Sequence, residues 1–446
     1  MAIGIPRSAR KLRKHLSADS LYALVRKEFE AIPDSRDPSK SPIPLADCLM
    51  SAFALFALKD PSLLAFDDRR NDNNMKTLFG IGQVPSDTTM RETLDEVAPS
   101  LLRPVYTAVF RQLQRGKALE PFVFYKGCYL LSLDGTGFFS SKKIHCESCL
   151  TKTSKSGEVT YQHQMLGAVL VHPDFKEVIP LAPEAIVRQD GDTKNDCERN
   201  AAKRLLQQIR EDHPRLGLIV VEDGLASNAP HIREILKHQM HFILGVKPGD
   251  HPFLFDHVIK ANDEGRATTV RWKSNGVQCE IVFVNQVPLN ESNQDLLVNY
   301  FEYTEYDSEG NQIKHFSWVT DFTVTRANAR QLVRAGRARW KVENETFNTL
   351  KNQGYQYEHN FGHGDKNLCN VFAMLMMLAF LADQVQQLCC PLFRAVWQKL
   401  RTKRALWDNL RSHFRHFAFT SMRQLYDTIL HDRGKEVPLP DLDDSS

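Results

Sequence analysis

Two short apolar runs, each stopping at an Asp-Gly pair, constrain this chain most. Tyr129-Leu-Leu-Ser-Leu-Asp134 is followed by Gly135-Thr136-Gly137, and Leu216-Gly-Leu-Ile-Val-Val-Glu-Asp223 by Gly224. Apolar runs of this length bounded by glycine predict buried strands. An acid at the end of a buried strand is held rigidly at the rim of a sheet, where ligands gather. A third acid, Glu343, lies in Arg339-Trp-Lys-Val-Glu-Asn-Glu-Thr-Phe-Asn-Thr-Leu-Lys351, which reads as a helix. Two strand-end carboxylates and one helix carboxylate can hold two divalent metal ions for phosphoryl transfer.

The segments around them set the organisation. Residues 1–125 read as mostly helical. Their basic start (Arg7, Arg10, Lys11, Arg13 and Lys14) suits a solvated tail and a phosphate-contacting arm equally. Ser41-Pro-Ile-Pro44 precedes an apolar helix over 45–58, and Ser86 or Asp87 caps a later one. Residues 126–240 alternate. Strand 129–134 leads into a polar loop to 158, then strands 161–171 and 177–181, a helix 196–211, the strand ending at Asp223, and a helix capped by Ser227 with Pro230 in its first turn. This order predicts an α/β fold, a mixed sheet with flanking helices. Residues 241–323 read as a β-rich insertion, because β-branched and aromatic runs alternate there with Gly, Asn and Asp turns. Residues 324–392 complete the core, and 393–446 form a helical tail.

The net charge is only +3, so a nucleic-acid partner must be argued from local patches. The first residues lack the apolar core of a signal peptide. The longest apolar stretch, 371–382, falls short of the ~20 residues that span a bilayer. It predicts a buried core helix and no membrane partner. Nine cysteines, an odd number scattered along the chain, suit a reducing, cytoplasmic setting.

Helical periodicity separates Glu343 from Glu345. Arg339, Trp340, Glu343, Phe347 and Leu350 share one face by steps of three and four, so Glu343 joins an inward stripe. Glu345 falls about 200° away and points outward. An inward carboxylate needs a cation. The simpler account of Glu343 is an ion pair with Arg339. For Asp134 and Asp223 it is a turn cap.

Taken together, these residues resemble the DDE transposases of bacterial insertion sequences, of ribonuclease-H-like fold. The chain looks like the branch marked by a Tyr-Arg-Glu-Lys signature and a β-insertion. Arg339-Trp340-Lys-Val-Glu343 with Phe347 matches its core. Asp134 and Asp223 stand where the first two acids are expected, spaced 89 residues (134 to 223) and then 120 (223 to 343). Gln162-His163-Gln164, Lys194-Asn-Asp-Cys-Glu-Arg-Asn200, Asn352-Gln-Gly-Tyr355 and His359-Asn-Phe-Gly-His-Gly364 are further family-like stretches. Two positions depart. Gly336 stands where the signature tyrosine is expected, with Tyr355 as a nearby substitute, and Leu350 where the lysine is expected, with Lys351 beside it.

The resemblance implies cut-and-paste transposition. Asp134, Asp223 and Glu343 would hold two Mg²⁺ ions, or Mn²⁺ in their place. One activates water at the transposon end and the other stabilises the leaving 3′ oxygen, which then attacks DNA again. The implied partners are double-stranded DNA, as terminal inverted repeats and target, and a second copy of the chain in the synaptic complex. In relatives a flipped base stacks on an aromatic residue of the insertion, for which Trp272 and Trp318 are candidates.

Arg326, Arg330, Arg334, Arg337 and Lys341 step by three and four toward Glu343. With Arg339 and Lys351 they predict a DNA-contacting stripe that Gly336 interrupts. Lys399, Arg401, Lys403, Arg404, Arg411 and Arg415, interleaved with aromatics, suggest that the tail serves assembly or end-binding. Cys146 and Cys149 read either as a pair of reduced thiols in a loop or as half of a structural zinc site, with His145, His163 and Cys197 as candidate further ligands. A catalytically silent DNA-binding protein and a two-metal structure-selective nuclease remain as alternatives.

Overall fold

The structure, a computed structural model, describes residues 14–432 apart from 38, 40, 192, 193 and 275. Arg7, Arg10, Lys11 and Arg13 lie outside the described residues. The strands are β1 (Val123–Tyr125), β2 (Cys128–Ser141), β3 (Leu150–Thr153), β4 (Val159–Val171), β5 (Ile179–Pro180), β6 (Glu184–Ile186), β7 (Leu218–Glu222), β8 (His241–Gly245), β9 (Thr268–Ser274), β10 (Val277–Pro288), β11 (Leu297–Tyr306) and β12 (Gln312–Thr320). They make one twelve-stranded sheet in the order β3-β4-β2-β7-β8-β12-β11-β10-β9, with β1 beside β2 and β5 and β6 beside β4. β2, β7 and β8 are parallel and the other pairs antiparallel. β7 is buried along its whole length, as expected of a parallel strand inside a sheet.

Among the described residues, six helices precede the sheet: α1 (Ala18–Glu30), α2 (Leu45–Leu58), α3 (Leu63–Asp67), α4 (Asn73–Phe79), α5 (Asp87–Asp95) and α6 (Arg103–Arg115). Within and after it come α7 (Lys194–Asp212), α8 (Ala229–Lys237), α9 (Pro252–Asp263), α10 (Ala329–Ala338), α11 (Asn348–Asn352), α12 (Leu368–Cys389), α13 (Pro391–Leu400), α14 (Lys403–His416) and α15 (Met422–His431). The mixed sheet with flanking helices is the ribonuclease-H-like arrangement expected.

Several boundaries move. β2 does not end at Asp134 but runs on to Ser141; only its ladder to β7 stops short, at Ser132. His241–Gly245, expected to open the insertion, pairs in parallel with β7 and belongs to the core sheet. The insertion strands extend this sheet through β12, and helix α9 lies among them. Asn228, not Ser227, caps α8, accepting from the His231 N–H. Ser227 instead donates its hydroxyl to Gly245 O (2.5 Å). Ser86 caps α5 as expected.

The terminal regions form one helical body. α2 and α12 are apolar on all sides, and such helices must be buried all round. All of α2 is buried, and α12 packs against it. α12 is long and apolar enough to cross a membrane, yet its apolar window is entirely buried inside the protein. Lys59 ends α2 in the left-handed conformation (φ 56). Buried, it pairs with Asp383 of α12 (2.5 Å) and lies 3.9 Å over the Trp407 ring of α14. A charge withdrawn from water this far requires such a partner. Asn74 of α4 donates to Phe414 O and Phe417 O (2.7 Å each), tying the first and last helices together.

Candidate active site and a Cys/His cluster

Asp134 and Asp223 come together by strand register. The parallel ladder pairs Tyr129 with Leu218 and ends at Ser132 with Val221. Carried two residues further, it sets Asp134 beside Asp223, on one face by the two-residue alternation. β7 stops at Glu222, and Asp223 begins a 3₁₀ turn, where its carboxylate accepts from the Leu225 N–H (3.0 Å). The turn-cap role weighed from sequence is therefore real, and it fixes how this carboxylate points. Behind it, Glu222 and His231 form a buried pair at 2.6 Å.

Glu343 stands in a π-helical segment, Val342–Phe347, between α10 and α11. An α-helix was expected. The wider turn re-aims its side chains, and such segments recur at functional sites. Two contacts dock it on the sheet. Ser132 Oγ donates to Arg339 O (3.1 Å). Phe347 lies over Gly167, the antiparallel partner of Asp134. A Cβ at 167 would stand 2.8 Å from the Phe347 ring, so only glycine lets the segment settle here. Sequence reasoning missed Gly167. Its signal was a lone glycine inside an apolar strand, a mark of close approach. Trp340, expected to face inward, is 48% exposed.

The result is a cluster of like charges around one cation. Arg339 lies 3.0 Å from Glu343 Oε1 and 4.0 Å from Asp134 Oδ2. The Asp134 carboxyl is pushed up to about 7, first by burial and then by the Glu343 charge. Arg339 opposes the shift, while a hydrogen bond with Glu343 and the charge of Asp223 add to it. Glu198 of α7 fills the space Gly135 leaves, since a Cβ there would stand 2.9 Å from Glu198 Oε1. Glu198 and Asp134 line one concavity with Asp223. Hard carboxylate oxygens held together against repulsion are the donor set of a hard divalent cation.

Of the expected DNA-contacting stripe, Arg326, Arg330, Arg334 and Arg337 are exposed while Arg339, Lys341 and Lys351 are half-buried, and all are engaged internally. Arg326 lies outside α10, where its side chain donates to Thr269 O (2.9 Å). Arg330 stacks on Trp272 at 4.2 Å, Arg334 pairs with Asp174 (2.5 Å) and Arg337 with Glu305 (3.4 Å). Lys341 donates to Phe175 O (2.5 Å) and Lys351 pairs with Glu358 (2.9 Å). Gly336 does not break the helix. The Trp318 indole would lie 2.6 Å from a Cβ there, so close packing explains the glycine. Trp318 is accordingly a core residue, 5% exposed, whereas Trp272 is only half-buried. Tyr355 is fully buried and donates to Asp383 (2.5 Å), so it does not stand in for the signature tyrosine. In the tail, Lys399 donates to Ile429 O and Leu430 O, Arg404 to Asn352 O, and Arg411 to Leu58 O and Lys59 O.

A second cluster sits further along the same strands. Cys146 and Cys149 lie between β2 and β3, His163 in β4, and His363 between α11 and α12. Their ligand atoms all lie within 4.8 Å of one another, and the group could hold a metal ion. His163 was foreseen as a candidate ligand and His363 was not. The other candidates lie apart: His145 stacks on Tyr161 (4.4 Å), and Cys197 donates to Gly191 O (3.1 Å).

A family model described as a transposase DDE domain matches residues 150–381, just over half of the chain. The match takes in Asp223, Glu343, His163 and His363, and begins after Asp134. No curated protein matches the chain.

Proposed function

The chain belongs to the transposase DDE-domain family, and from that premise we propose that it is a cut-and-paste DNA transposase whose Asp134, Asp223 and Glu343 hold two Mg²⁺ ions, or Mn²⁺ in their place. The observation that carries this reading is the placement of Asp134 and Asp223 in one concavity, with Arg339 drawing Glu343 to them at 3.0 Å from Glu343 Oε1 and 4.0 Å from Asp134 Oδ2. A protein gains nothing by burying repelling carboxylates unless a cation joins them. When bound, the ions supply Lewis-acid activation of water and stabilisation of the leaving 3′ oxygen of DNA.

The side chains of this chain do the rest. Asp134 offers oxygens from β2 and Asp223 from the turn that ends the adjacent strand β7. Glu343 completes the set from the π-helical segment docked by Phe347 on Gly167. Arg339, 3.0 Å from Glu343 and 4.0 Å from Asp134, offsets their charge and would offer its guanidinium to a DNA phosphate entering the site. Arg326, Arg330, Arg334 and Arg337 line the DNA path toward it, with Lys341 and Lys351 beyond. Their present pairs are mostly surface contacts worth about 0–1 kcal/mol, cheaply exchanged for phosphates. Trp272 is the base-stacking residue of the insertion. The protein acts in the cytoplasm, and two copies synapse two DNA ends.

The test is a Mg²⁺-dependent cleavage and joining assay on DNA carrying the inverted repeats that flank the reading frame. Nicking followed by joining supports transposition. Nicking without joining leaves the structure-selective nuclease, and binding with neither leaves the silent DNA-binding protein.

A further inference from the structure

The geometry points to a structural zinc site: Cys146, Cys149, His163 and His363 close on one Zn²⁺ and staple three separate stretches of chain together beside the acidic cluster. Zn–S bonds of about 2.3 Å and Zn–N bonds of about 2.0–2.1 Å, set tetrahedrally, place sulfur atoms about 3.8 Å apart, sulfur and nitrogen about 3.5 Å apart, and nitrogens about 3.3 Å apart. Cys146 Sγ and Cys149 Sγ are 3.8 Å apart. His163 Nε2 lies 3.5 Å from Cys146 Sγ and 3.3 Å from Cys149 Sγ. His363 Nε2 lies 3.4 Å from Cys149 Sγ and 3.1 Å from His163 Nε2. These are five of the six edges of one tetrahedron, and the sixth, Cys146 to His363, lies within 4.8 Å. The sulfurs are far beyond the ~2.05 Å of a disulfide.

Two further features fit a cation. His363 donates its Nδ1 proton to Gly364 O (2.6 Å), which leaves the Nε2 lone pair aimed into the cluster. The Cys146 N–H donates to Cys149 Sγ (3.4 Å), as a backbone amide does to a metal-bound thiolate. Soft sulfur and imidazole donors select zinc over the hard ions of the acidic cluster. Cys149, His163 and His363 are buried, so the four ligands close the site and leave no position for substrate. The role is structural. The ion clips the loop after β2 and the strand β4 to the stretch that follows the Glu343 segment. This holds whatever reaction the chain performs.

Elemental analysis of the full-length protein, grown with zinc and dialysed exhaustively, tests it. About one zinc per chain is expected in the wild type and equally in Asp134→Asn, falling to near none in Cys149→Ser and His363→Ala. If those variants fail to fold, cobalt-loaded wild type decides: the visible absorption of tetrahedral Co²⁺ with a thiolate charge-transfer band is expected. A cooperatively folded wild type without stoichiometric zinc, zinc retained by both variants, an octahedral cobalt spectrum, or a Cys146–Cys149 disulfide in mass spectra would each overturn it.

Discussion

The acidic cluster hangs on β2 and β7 and the Cys/His cluster on β4 and the loop after β2; both are completed from the stretch after α10, yet they are built in opposite ways. The Cys/His ligands are soft, mostly buried and gathered within 4.8 Å of one another. The carboxylates are hard and more open, and they do not close within that distance. Like charges resist a tight cage. Burial drives one carboxyl up to about 7 and Arg339 offsets part of the repulsion. A closed, relaxed set of ligands suits holding a chain together. An open, strained set suits an ion that must also reach a substrate.

Selective damage should separate the two. The largest effect is expected from Asp134→Asn, Asp223→Asn and Glu343→Gln, each lowering DNA cleavage by about three orders of magnitude or more. DNA affinity in gel-shift assays and zinc content should stay near wild type. Cleavage lost in Glu345→Gln but kept in Glu343→Gln would reverse the helix-face assignment. Chelation should come next. A mild chelator should stop cleavage reversibly, with Mg²⁺ restoring it and the melting temperature unmoved. Extracting the Cys/His metal with a strong chelator should lower that temperature by several degrees. One response shared by both treatments would erase the distinction.

Gly167→Val sharpens it further. Pushing Phe347 off β4 should displace Glu343 by about an ångström and cost about 10²-fold in cleavage. Zinc content should be unaffected, because His163 and His363 lie beyond the shifted contact. Smallest of all, Arg334→Ala should lower the slope of log affinity against log salt by about one, with cleavage at saturating DNA close to wild type. An unchanged slope would remove Arg334 from the DNA path.

Sequence reasoning reached each acidic residue through its own neighbourhood: an apolar run before Asp134, another before Asp223, an amphipathic pattern around Glu343. It did not reach what joins them. Register between β2 and β7 depends on pairing across four intervening strands and helix α7, and no local pattern encodes it. The π-helical turn is equally invisible, so the inward face assigned to Trp340 failed. The insertion's β-rich texture was legible, but not that it continues the core sheet, because strand composition does not specify a neighbour. Gly336 looked like a helix breaker because the indole that demands it comes from the neighbouring strand β12, whose packing on α10 no local pattern encodes. His363 escaped because its fellow ligands lie some two hundred positions earlier, and Gly-His-Gly alone carries no ligand spacing.

The union of the first and last helices bears on how the polypeptide is made. α2 finds its main cover in α12, and the cap at Lys59 awaits Asp383 and Trp407. At translation rates of about 5–20 residues per second, the ribosome needs roughly 15–60 s between finishing Leu58 and reaching Leu368. Throughout that interval an oily helix, covered only by its near neighbours α1, α4 and α5, waits without its largest partner, open to chaperones or to its own kind. A message broken before its last third would therefore yield sticky fragments rather than a smaller working protein.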